Sequence, residues 1–278
     1  MSRSGPPGPG APDPGAPGAV PQLVLAVDPA LWFLLSPRHR RPRFGLPVPA
    51  TDTVGHVVRA VGLPPTEIGP VHLDGRPAGL DRRPTAGVPP GGAAPVLAVG
   101  PRPRPQPTRS CPPRFLLDVH LGALARRLRL LGLDAAWEPA AEDAELVARA
   151  LREGRVLLTQ DRGLLHRGAV PEGALVRGRA PEEQLDDVLG RFAPPLAPWT
   201  RCPRCGAALV AADPHEVADR VPPRALAAHT AFRRCTGCGQ VYWRGAHARR
   251  LDALVARARD AARPGNGAGE RGAGGPSA

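Results

Sequence analysis

Two C-x-x-C-G motifs near the C-terminus constrain this 278-residue chain more than any other feature. Cys202 and Cys205 form the first pair, Cys235 and Cys238 form the second, and 29 residues separate the pairs. Four thiolates at this spacing close a tetrahedral Zn²⁺ site, and the glycine after each pair lets the chain turn tightly around the ion. Four sulfur ligands leave no open position, so the pattern predicts a structural zinc ribbon over residues 199–250 rather than a redox or catalytic centre.

Apolar segments alternate with amphipathic helical patterns over residues 114–198. RFLLDV predicts a strand that ends at Asp118, and leucines at three- and four-residue spacing predict a helix that stops at Gly132. LDAAWE, RVLLTQD and ALVRG predict three further strands, with helices in AEDAELVARALREG and PEEQLDDVLGRF. Strands that alternate with helices predict an α/β fold, in which helices flank a parallel sheet.

Acidic residues follow the first and third of these strands. Asp118 ends the first strand, Asp161 ends the third close to Thr159, and Glu145 lies beside Asp143 early in the intervening helix. Sites in open parallel sheets lie at the carboxyl ends of the strands, and Mg²⁺ or Mn²⁺ stabilises carboxylates that cluster there. Acids at strand ends and helix N-termini also occur as ordinary caps. The pattern by itself therefore agrees with both a divalent-cation site and a set of caps.

Residues 21–100 predict a separate small α+β domain. QLVLAV predicts a strand, LWFLL continues the apolar segment, and a basic loop follows at Arg38–Arg43. Thr53 is expected to cap a short helix, GPVHLDGRPA to form a strand and a tight turn at Asp74-Gly75, and PVLAVG to form the closing strand.

Composition marks the segments between and beyond these regions. Residues 1–20 and 264–278 are rich in Gly, Pro and Ala, so they are predicted to be disordered. Residues 101–113, PRPRPQPTRSCPP, are predicted to be a semi-rigid linker. No apolar run approaches the ~20 residues of a membrane helix, and no secretory apolar segment is present. Five clustered cysteines fit a reducing compartment, so the expected location is cytoplasmic.

The net charge of +12 comes from arginine alone, because the chain contains no lysine. Residues 1–113 carry 12 arginines against 6 acids, and residues 201–278 carry 13 against 6, whereas the middle is nearly neutral. A basic protein favours an anionic partner, nucleic acid above all. A soluble arginine-rich surface without such a partner has the same charge, so composition leaves both interpretations open.

Several stretches together resemble a known family. Three of them are FLLDVHLGALARRLRLLGLDAAW, EDAELVARA and GRVLLTQDRGLL. Together with the ribbon motifs that follow, they are similar to the PIN-like ribonuclease domain at the C-terminus of the Mut-seven exonuclease. Two earlier stretches are TVGHVVRAVGLPPTEIGPVHLDGRPA and PVLAVG. They resemble a ubiquitin-like β-grasp domain, which precedes this nuclease domain in bacterial members of the family. The carrier-type C-terminal Gly-Gly is missing, so the resemblance favours an interaction or RNA-guiding module over a sulfur carrier.

The resemblance implies a metal-dependent nuclease with an acidic cup that holds Mg²⁺ or Mn²⁺. It maps the cup and its Mg²⁺ or Mn²⁺ ligands onto Asp118, Glu145 and Asp161, with Asp143 as a candidate fourth ligand. Thr159 matches the hydroxyl residue that commonly accompanies the last aspartate. Asp186 and Asp187 match the family pattern weakly. The family's YW-x-G-x-H stretch is matched by Tyr242, Trp243, Gly245 and His247.

Basic and aromatic residues are the candidates for RNA contact. Four arginines are predicted to contact RNA: Arg126, Arg129, Arg201 and Arg244. A solvated helix face is the alternative for the first two, and packing of the ribbon is the alternative for Tyr242 and Trp243.

The sequence therefore predicts a cytoplasmic ribonuclease with structural Zn²⁺ and catalytic Mg²⁺ or Mn²⁺. RNA is its expected partner, and a protein partner is expected to bind through the β-grasp domain. The alternative is a non-catalytic nucleic-acid-binding or regulatory interaction protein on the same scaffold.

Overall fold

The computed structural model describes residues 22–89, 92–167, 170, 172–245 and 248–261. The two termini that we predict to be disordered, residues 1–20 and 264–278, and also His247 lie outside these residues. The chain divides into two compact units, Met1–Gly62 with Pro70–Gly100 and Leu63–Gly69 with Pro101–Ala278. Across the described residues, every helix is too short or too polar to cross a lipid bilayer.

The first sheet has five strands in the order β2-β1-β5-β3-β4, and a single α-helix accompanies it. The bounds are β1 Gln22–Val27, β2 Arg43–Pro47, β3 Ile68–Leu73, β4 Arg76–Ala78, β5 Val96–Pro101 and helix α1 Val54–Ala60. β1 pairs antiparallel with β2 and parallel with β5, which makes the sheet mixed. Thr53 caps α1 as predicted, because its hydroxyl accepts a hydrogen bond of 3.2 Å from the His56 N–H.

The apolar segment LWFLL forms a 3₁₀-helix, Pro29–Leu34, and the second strand begins only after the basic loop. Asp28 caps this helix by accepting the Ala30 N–H at 2.8 Å, and Pro29 suits a first helical position because it lacks a backbone N–H. Leu31 and Leu34 are both buried, and their three-residue spacing matches the 3₁₀ period. The segment therefore contributes to the core as a 3₁₀-helix. The strand β2, at Arg43–Pro47, is not predicted by the sequence pattern.

The second unit contains a four-stranded parallel sheet in the order β7-β6-β8-β9, as the strand–helix alternation predicts. The strands are β6 Arg114–Leu117, β7 Asp134–Trp137, β8 Val156–Thr159 and β9 Gly173–Leu175. The helices are α2 Gly122–Leu130, α3 Asp143–Glu153, α4 Arg162–His166 and α5 Pro181–Phe192. Helix α4, which links β8 to β9, is an element that the sequence analysis missed.

Helices α2 and α3 end where the predicted glycines allow it. Gly132 and Gly154 have φ values of +83° and +60°, a backbone region that residues with a Cβ rarely occupy. At Gly132 there is a second constraint, because a Cβ would lie 1.8 Å from the Ala197 carbonyl oxygen. Between these ends, the leucines at 124 and 128 are fully buried against the sheet and α5.

The ribbon is a three-stranded antiparallel sheet in the order β10-β11-β12. Its elements are β10 Leu209–Ala212, α6 Pro223–Ala228, β11 Phe232–Cys235 and β12 Val241–Trp243, and the C-terminal helix α7 Ala248–Ala261 follows. A small core of Val217, Val221, Phe232 and Val241 packs on one side of the cysteines. The fold class is thus confirmed: a β-grasp sheet, a parallel α/β domain and a four-cysteine ribbon.

A buried ion pair holds distant segments of the second unit together. Arg191 of α5 donates to the Glu67 carboxylate at 3.0 Å, and its Nε donates to the Gln106 Oε1 at 2.6 Å. Glu67 also accepts the Leu175 N–H at 2.8 Å. Gln106 lies in the segment 101–113, which therefore packs into this unit at that point. Loss of either member of such a buried pair costs about 3–5 kcal/mol.

Candidate active site and metal centre

The strand order of the parallel sheet creates a crevice at the carboxyl ends of β6 and β8. The chain passes from β6 to β7 on one side, and then returns to place β8 on the other side of β6. Connections that leave two neighbouring strands in opposite directions open a crevice at that point, where open α/β sheets bind their ligands. The residues that follow β6 and β8 are therefore the first place to look for a site.

The hydroxyl of Thr159 bonds to the Asp118 carboxylate and to the backbone N–H of Asp161 at this crevice. Thr159 Oγ1 donates to Asp118 Oδ2 at 2.6 Å and accepts the Asp161 N–H at 2.8 Å. Asp118 and Thr159 are buried, at 6% and 0% exposure, whereas Asp161 is exposed. Thr159 thus contacts the Asp118 carboxylate and the Asp161 backbone, although 41 positions separate Asp118 from Thr159.

Both aspartates also act as caps, the alternative that the sequence left open. Asp118 Oδ1 accepts the Val119 N–H at 2.6 Å, and Asp161 Oδ1 accepts the Gly163 N–H at 2.7 Å at the start of α4. A carboxylate offers about four acceptor sites, so these bonds orient the groups without exhausting their capacity for a cation. Capping and cation binding are therefore compatible here.

Glu145 and Asp143 are placed differently from this trio. Glu145 is exposed in the first turn of α3, and Asp143 forms an ion pair of 2.9 Å with Arg167. Among the described residues, the four cysteines are the one group of three or more His, Cys, Asp or Glu whose ligand atoms all lie within 4.8 Å of one another. The predicted convergence of Asp118, Glu145 and Asp161 on one point is thus not reached at that distance.

Trp137 supports the segment that carries Asp118, a role that the sequence analysis missed. Its Nε1–H donates to the Val119 carbonyl at 3.1 Å. Its ring lies against the start of α2, where a Cβ on Gly122 would come within 2.6 Å of the ring. The signal in the sequence was the pairing of a tryptophan at a strand end with a glycine at a helix start.

The four ribbon cysteines form a site with the chemistry and the size for a metal ion. Cys202 Sγ lies 3.7 Å from Cys238 Sγ, and Cys205 Sγ lies 3.3 Å from Cys235 Sγ. Sulfurs around a tetrahedral Zn²⁺ with bonds of about 2.3 Å lie about 3.8 Å apart, which is close to this spacing. As predicted, Gly206 and Gly239 adopt positive φ values, of 81° and 72°.

The thiols of this cluster differ in their ease of ionisation. Burial raises the pKa of Cys202, but hydrogen bonds from the Tyr242 hydroxyl and nearby backbone groups outweigh it and lower the pKa to about 6. Burial and hydrogen bonding to the neighbouring thiols raise the pKa of Cys205 to about 12. A cation that binds all four sulfurs must therefore displace protons, which makes binding weaker at low pH.

Arg129 lies in the interior, which corrects its predicted place on an RNA-binding face. It is 4% exposed, its Nε donates to the Ala135 carbonyl at 2.7 Å, and its Nη1 donates to the Arg204 carbonyl at 2.9 Å. Because Arg204 lies between the first two cysteines, Arg129 connects α2 and β7 to the ribbon. Nearby, Arg201 donates to Asp134 at 3.2 Å. Burial raises the pKa of Asp134, but the hydrogen bond from Arg155 and the charges of the neighbouring arginines outweigh burial, so the pKa is lowered overall.

The other predicted contact residues divide between the surface and the ribbon. Arg126 is exposed, and Arg244 is exposed with its guanidinium 5.7 Å from the Trp199 ring centre. Tyr242 Oη lies 3.1 Å from Cys202 Sγ, and Trp243 packs against Phe232. Both aromatic residues therefore stabilise the ribbon itself.

The weaker acidic candidates, Asp186 and Asp187, have ion-pair partners. Asp186 pairs with Arg257, and Asp187 pairs with Arg104 at 3.4 Å and accepts the Arg177 N–H at 2.9 Å. These contacts account for both carboxylates without a cation.

Comparison with known proteins agrees with this architecture. The model of the Mut7-C RNAse domain matches residues 113–255, about half of the chain, and the model of the Mut7-C ubiquitin domain matches residues 22–89. Searches of the curated proteins and of the solved structures found no match. The chain thus belongs to the Mut7-C RNAse domain family, with the Mut7-C ubiquitin domain in front of the nuclease domain.

Proposed function

We propose that this protein is a divalent-metal-dependent ribonuclease whose active site is the crevice beyond β6 and β8. One observation carries the proposal: Thr159 joins Asp118 and Asp161 at the switch point of the parallel sheet. The family match supports nuclease chemistry, and the excess of arginine supports an anionic substrate.

The acidic residues have separate tasks in this proposal. Asp118, fixed by hydrogen bonds to both of its oxygens, would supply rigid ligand oxygens, and Asp161 would supply an exposed one. Carboxylate oxygens suit Mg²⁺ or Mn²⁺, which keep several water ligands and need few direct protein ligands. When bound, such an ion lowers the pKa of a coordinated water and stabilises charge on a phosphodiester. Glu145 and Asp143 would act at the rim of the crevice, through water or after a rearrangement of the Asp143–Arg167 pair.

The four-cysteine cluster is proposed to hold a structural Zn²⁺, since the sulfur set is closed and tetrahedral ions fit its spacing. The ribbon would also help to position RNA through Arg201 and Arg244. All five cysteines are free thiols, which supports the proposed cytoplasmic location.

The test is cleavage of end-labelled single-stranded and structured RNA with Mg²⁺, Mn²⁺ or no added divalent ion. We expect Asp118→Asn and Asp161→Asn to lose at least about 100-fold in rate, since each removes a charged ligand at the reacting centre. Asp219→Asn, which changes an exposed ribbon acid, is the matched control and should cleave like the wild type. Equal rates in all four proteins would overturn the proposal.

The non-catalytic alternative has one observation in its favour. Asp118, Glu145 and Asp161 are not gathered within the 4.8 Å that the cysteines reach, as an intact and preassembled cup would be. In that case the protein would bind RNA with a strong dependence on salt, and no divalent ion would produce cleavage. The same cleavage series, with a binding titration beside it, separates the two functions.

A further inference from the structure

The loop Arg38–Arg43, which ends at the first residue of β2, carries the densest positive charge in the first unit. Four of its six residues are arginines, Arg38, Arg40, Arg41 and Arg43, and the side chains of all four are exposed. His39 occupies one of the other positions and Pro42 the last. The loop holds one aromatic ring, that of His39, and no Leu, Ile, Val, Met, Phe, Tyr or Trp.

This loop has a defined conformation. Pro37–His39 forms a 3₁₀ turn, in which the His39 and Arg40 N–H groups donate to the Ser36 and Pro37 carbonyls at 2.9 and 3.2 Å. The His39 ring stacks on buried Phe44, with ring centres 4.5 Å apart and planes 7° apart. Arg40 Nε donates to the Leu35 carbonyl at 3.0 Å. The arginines are therefore presented by a preorganised turn, which lowers the entropic cost of ligand binding.

The positive charge of the loop is not neutralised within the described residues. The described part of the first unit holds eight arginines against four aspartates, and its one ion pair joins His56 to Asp52. Two other aspartates, Asp28 and Asp74, accept backbone N–H groups. Burial and the charges of Arg38 and Arg41 lower the pKa of His39, as expected where like charges crowd.

In the second unit, many arginines have carboxylate partners. Twelve of them form ion pairs with carboxylates: Arg104, Arg114, Arg127, Arg149, Arg152, Arg155, Arg167, Arg191, Arg201, Arg220, Arg244 and Arg257. Buried Arg129 has no carboxylate partner and donates to backbone carbonyls instead. The four loop arginines are exposed and form no ion pair among the described residues, so their charge is available to an anionic ligand.

We propose that the loop Arg38–Arg43 is an RNA-binding surface that contacts the phosphate backbone. Guanidinium groups bind phosphates in a bidentate fashion. The one aromatic ring of the loop, His39, is already stacked on Phe44, so the arginines are expected to contact the phosphate backbone rather than the bases. A protein interface would need buried apolar or aromatic anchors, and the loop has none. The ubiquitin-like domain thereby becomes a sequence-independent RNA-binding module. The proposal relies on the proposed function only for the choice of RNA as the polyanion.

The experiment measures RNA affinity of the full-length chain in the Asp118→Asn background, without chelators, so that cleavage and zinc loss do not interfere. The test variant is Arg38→Gln/Arg41→Gln/Arg43→Gln. Arg40 is kept because it bonds to the Leu35 carbonyl. The matched control, Arg76→Gln/Arg82→Gln/Arg83→Gln, removes the same charge elsewhere in the same unit.

We expect the loop variant to bind a 20-nucleotide single-stranded RNA at least about tenfold more weakly than the parent at moderate salt. Its slope of log affinity against log salt should fall by about 2, or about 0.7 for each lost phosphate contact. The control variant should show a clearly smaller loss, and the unfolding midpoints should agree in all three proteins.

Equal losses in the two variants would overturn the proposal, because the effect would then follow net charge alone. Absence of RNA binding by the parent would overturn it too. Poly-glutamate serves as a second polyanion in the same titration, and a loop variant that loses affinity for poly-glutamate but not for RNA would also overturn the proposal. Failure of the nuclease proposal is distinguishable, since it appears as absent cleavage in the wild type while the loop effect on binding persists.

Discussion

The two candidate metal sites of the second unit differ in how completely the fold assembles them. At the ribbon, four sulfur atoms lie within 4.8 Å of one another. At the crevice, Asp118 and Asp161 are connected through Thr159, but Glu145 stays exposed on α3. The Cys202 thiol has a lowered pKa and the Cys205 thiol a raised one, so ionised and neutral sulfurs can lie side by side, whereas ionised carboxylates repel one another. We therefore expect the acidic groups to come closer together only when a cation binds between them.

The local geometry of the two sites also differs. Each ribbon knuckle places two ligands within four residues and turns at a positive-φ glycine, so half of the site forms by local folding. The candidate ligands of the crevice come from two strand ends and a helix, so they are brought together only when the whole sheet forms. Three substitutions test this difference.

The largest effect is expected for Cys235→Ser, which removes a buried ligand of the sulfur site. The ribbon should lose its zinc and its cooperative unfolding, since structural zinc contributes about 10 kcal/mol or more to the folding of such small domains. Zinc content per chain and thermal unfolding give the measurement. Cys111→Ser, at an exposed cysteine outside the cluster, should keep one zinc per chain. Full zinc content in Cys235→Ser would show that Cys235 is not a ligand.

An intermediate effect is expected for Arg129→Met, which removes the hydrogen bonds from α2 to the carbonyls of Ala135 in β7 and Arg204 in the ribbon. The carbonyls of Ala135 and Arg204 would lose a charged donor, and we expect a destabilisation of about 2–4 kcal/mol. Arg126→Met on the exposed face of the same helix should change the free energy of unfolding by less than about 0.5 kcal/mol. Denaturant titration measures both, and similar values for the two variants would deny Arg129 this role.

The smallest effect on stability is expected for Thr159→Val, which keeps the side-chain shape and removes the hydroxyl between the two aspartates. One buried acceptor and one N–H lose their partner, at a cost of about 1–3 kcal/mol. Cleavage should fall by about tenfold or more because Asp118 is then misaligned. Thr159→Ser keeps the hydroxyl and should restore the rate. If valine and serine variants cleave equally, the hydroxyl does not orient Asp118.

Features that depend on neighbouring residues were predictable from the sequence. The order of strands and helices in the parallel domain, the cap at Thr53 and the glycine stops at 132 and 154 all agree with the structure. The short helix α4 was missed because five residues carry too little periodicity to be recognised. At the crevice, the strand ends pointed to Asp118 and Asp161, but nothing in the pattern revealed that Thr159 bonds to both.

The sequence did not predict correctly where individual charged side chains lie and which partners they have. The sequence predicts that Arg129 contacts RNA, yet Arg129 is buried and donates to carbonyls as far as 75 positions away in the chain. Asp143 was expected among the ligands, and Arg167, 24 positions later, forms an ion pair with it. Such partners are joined by the sheet topology, which helical and strand periodicity do not encode.

The two cysteine knuckles, the strand–helix alternation and the acids at strand ends can all be read from the sequence. These features follow from short-range sterics, side-chain periodicity and metal-ligand spacing, which act over a few residues. Which charges are buried, which are paired and which stay exposed to a ligand depends on the tertiary structure. That outcome depends on the free energy of taking a charge out of water, and only the assembled fold provides the partners that compensate it.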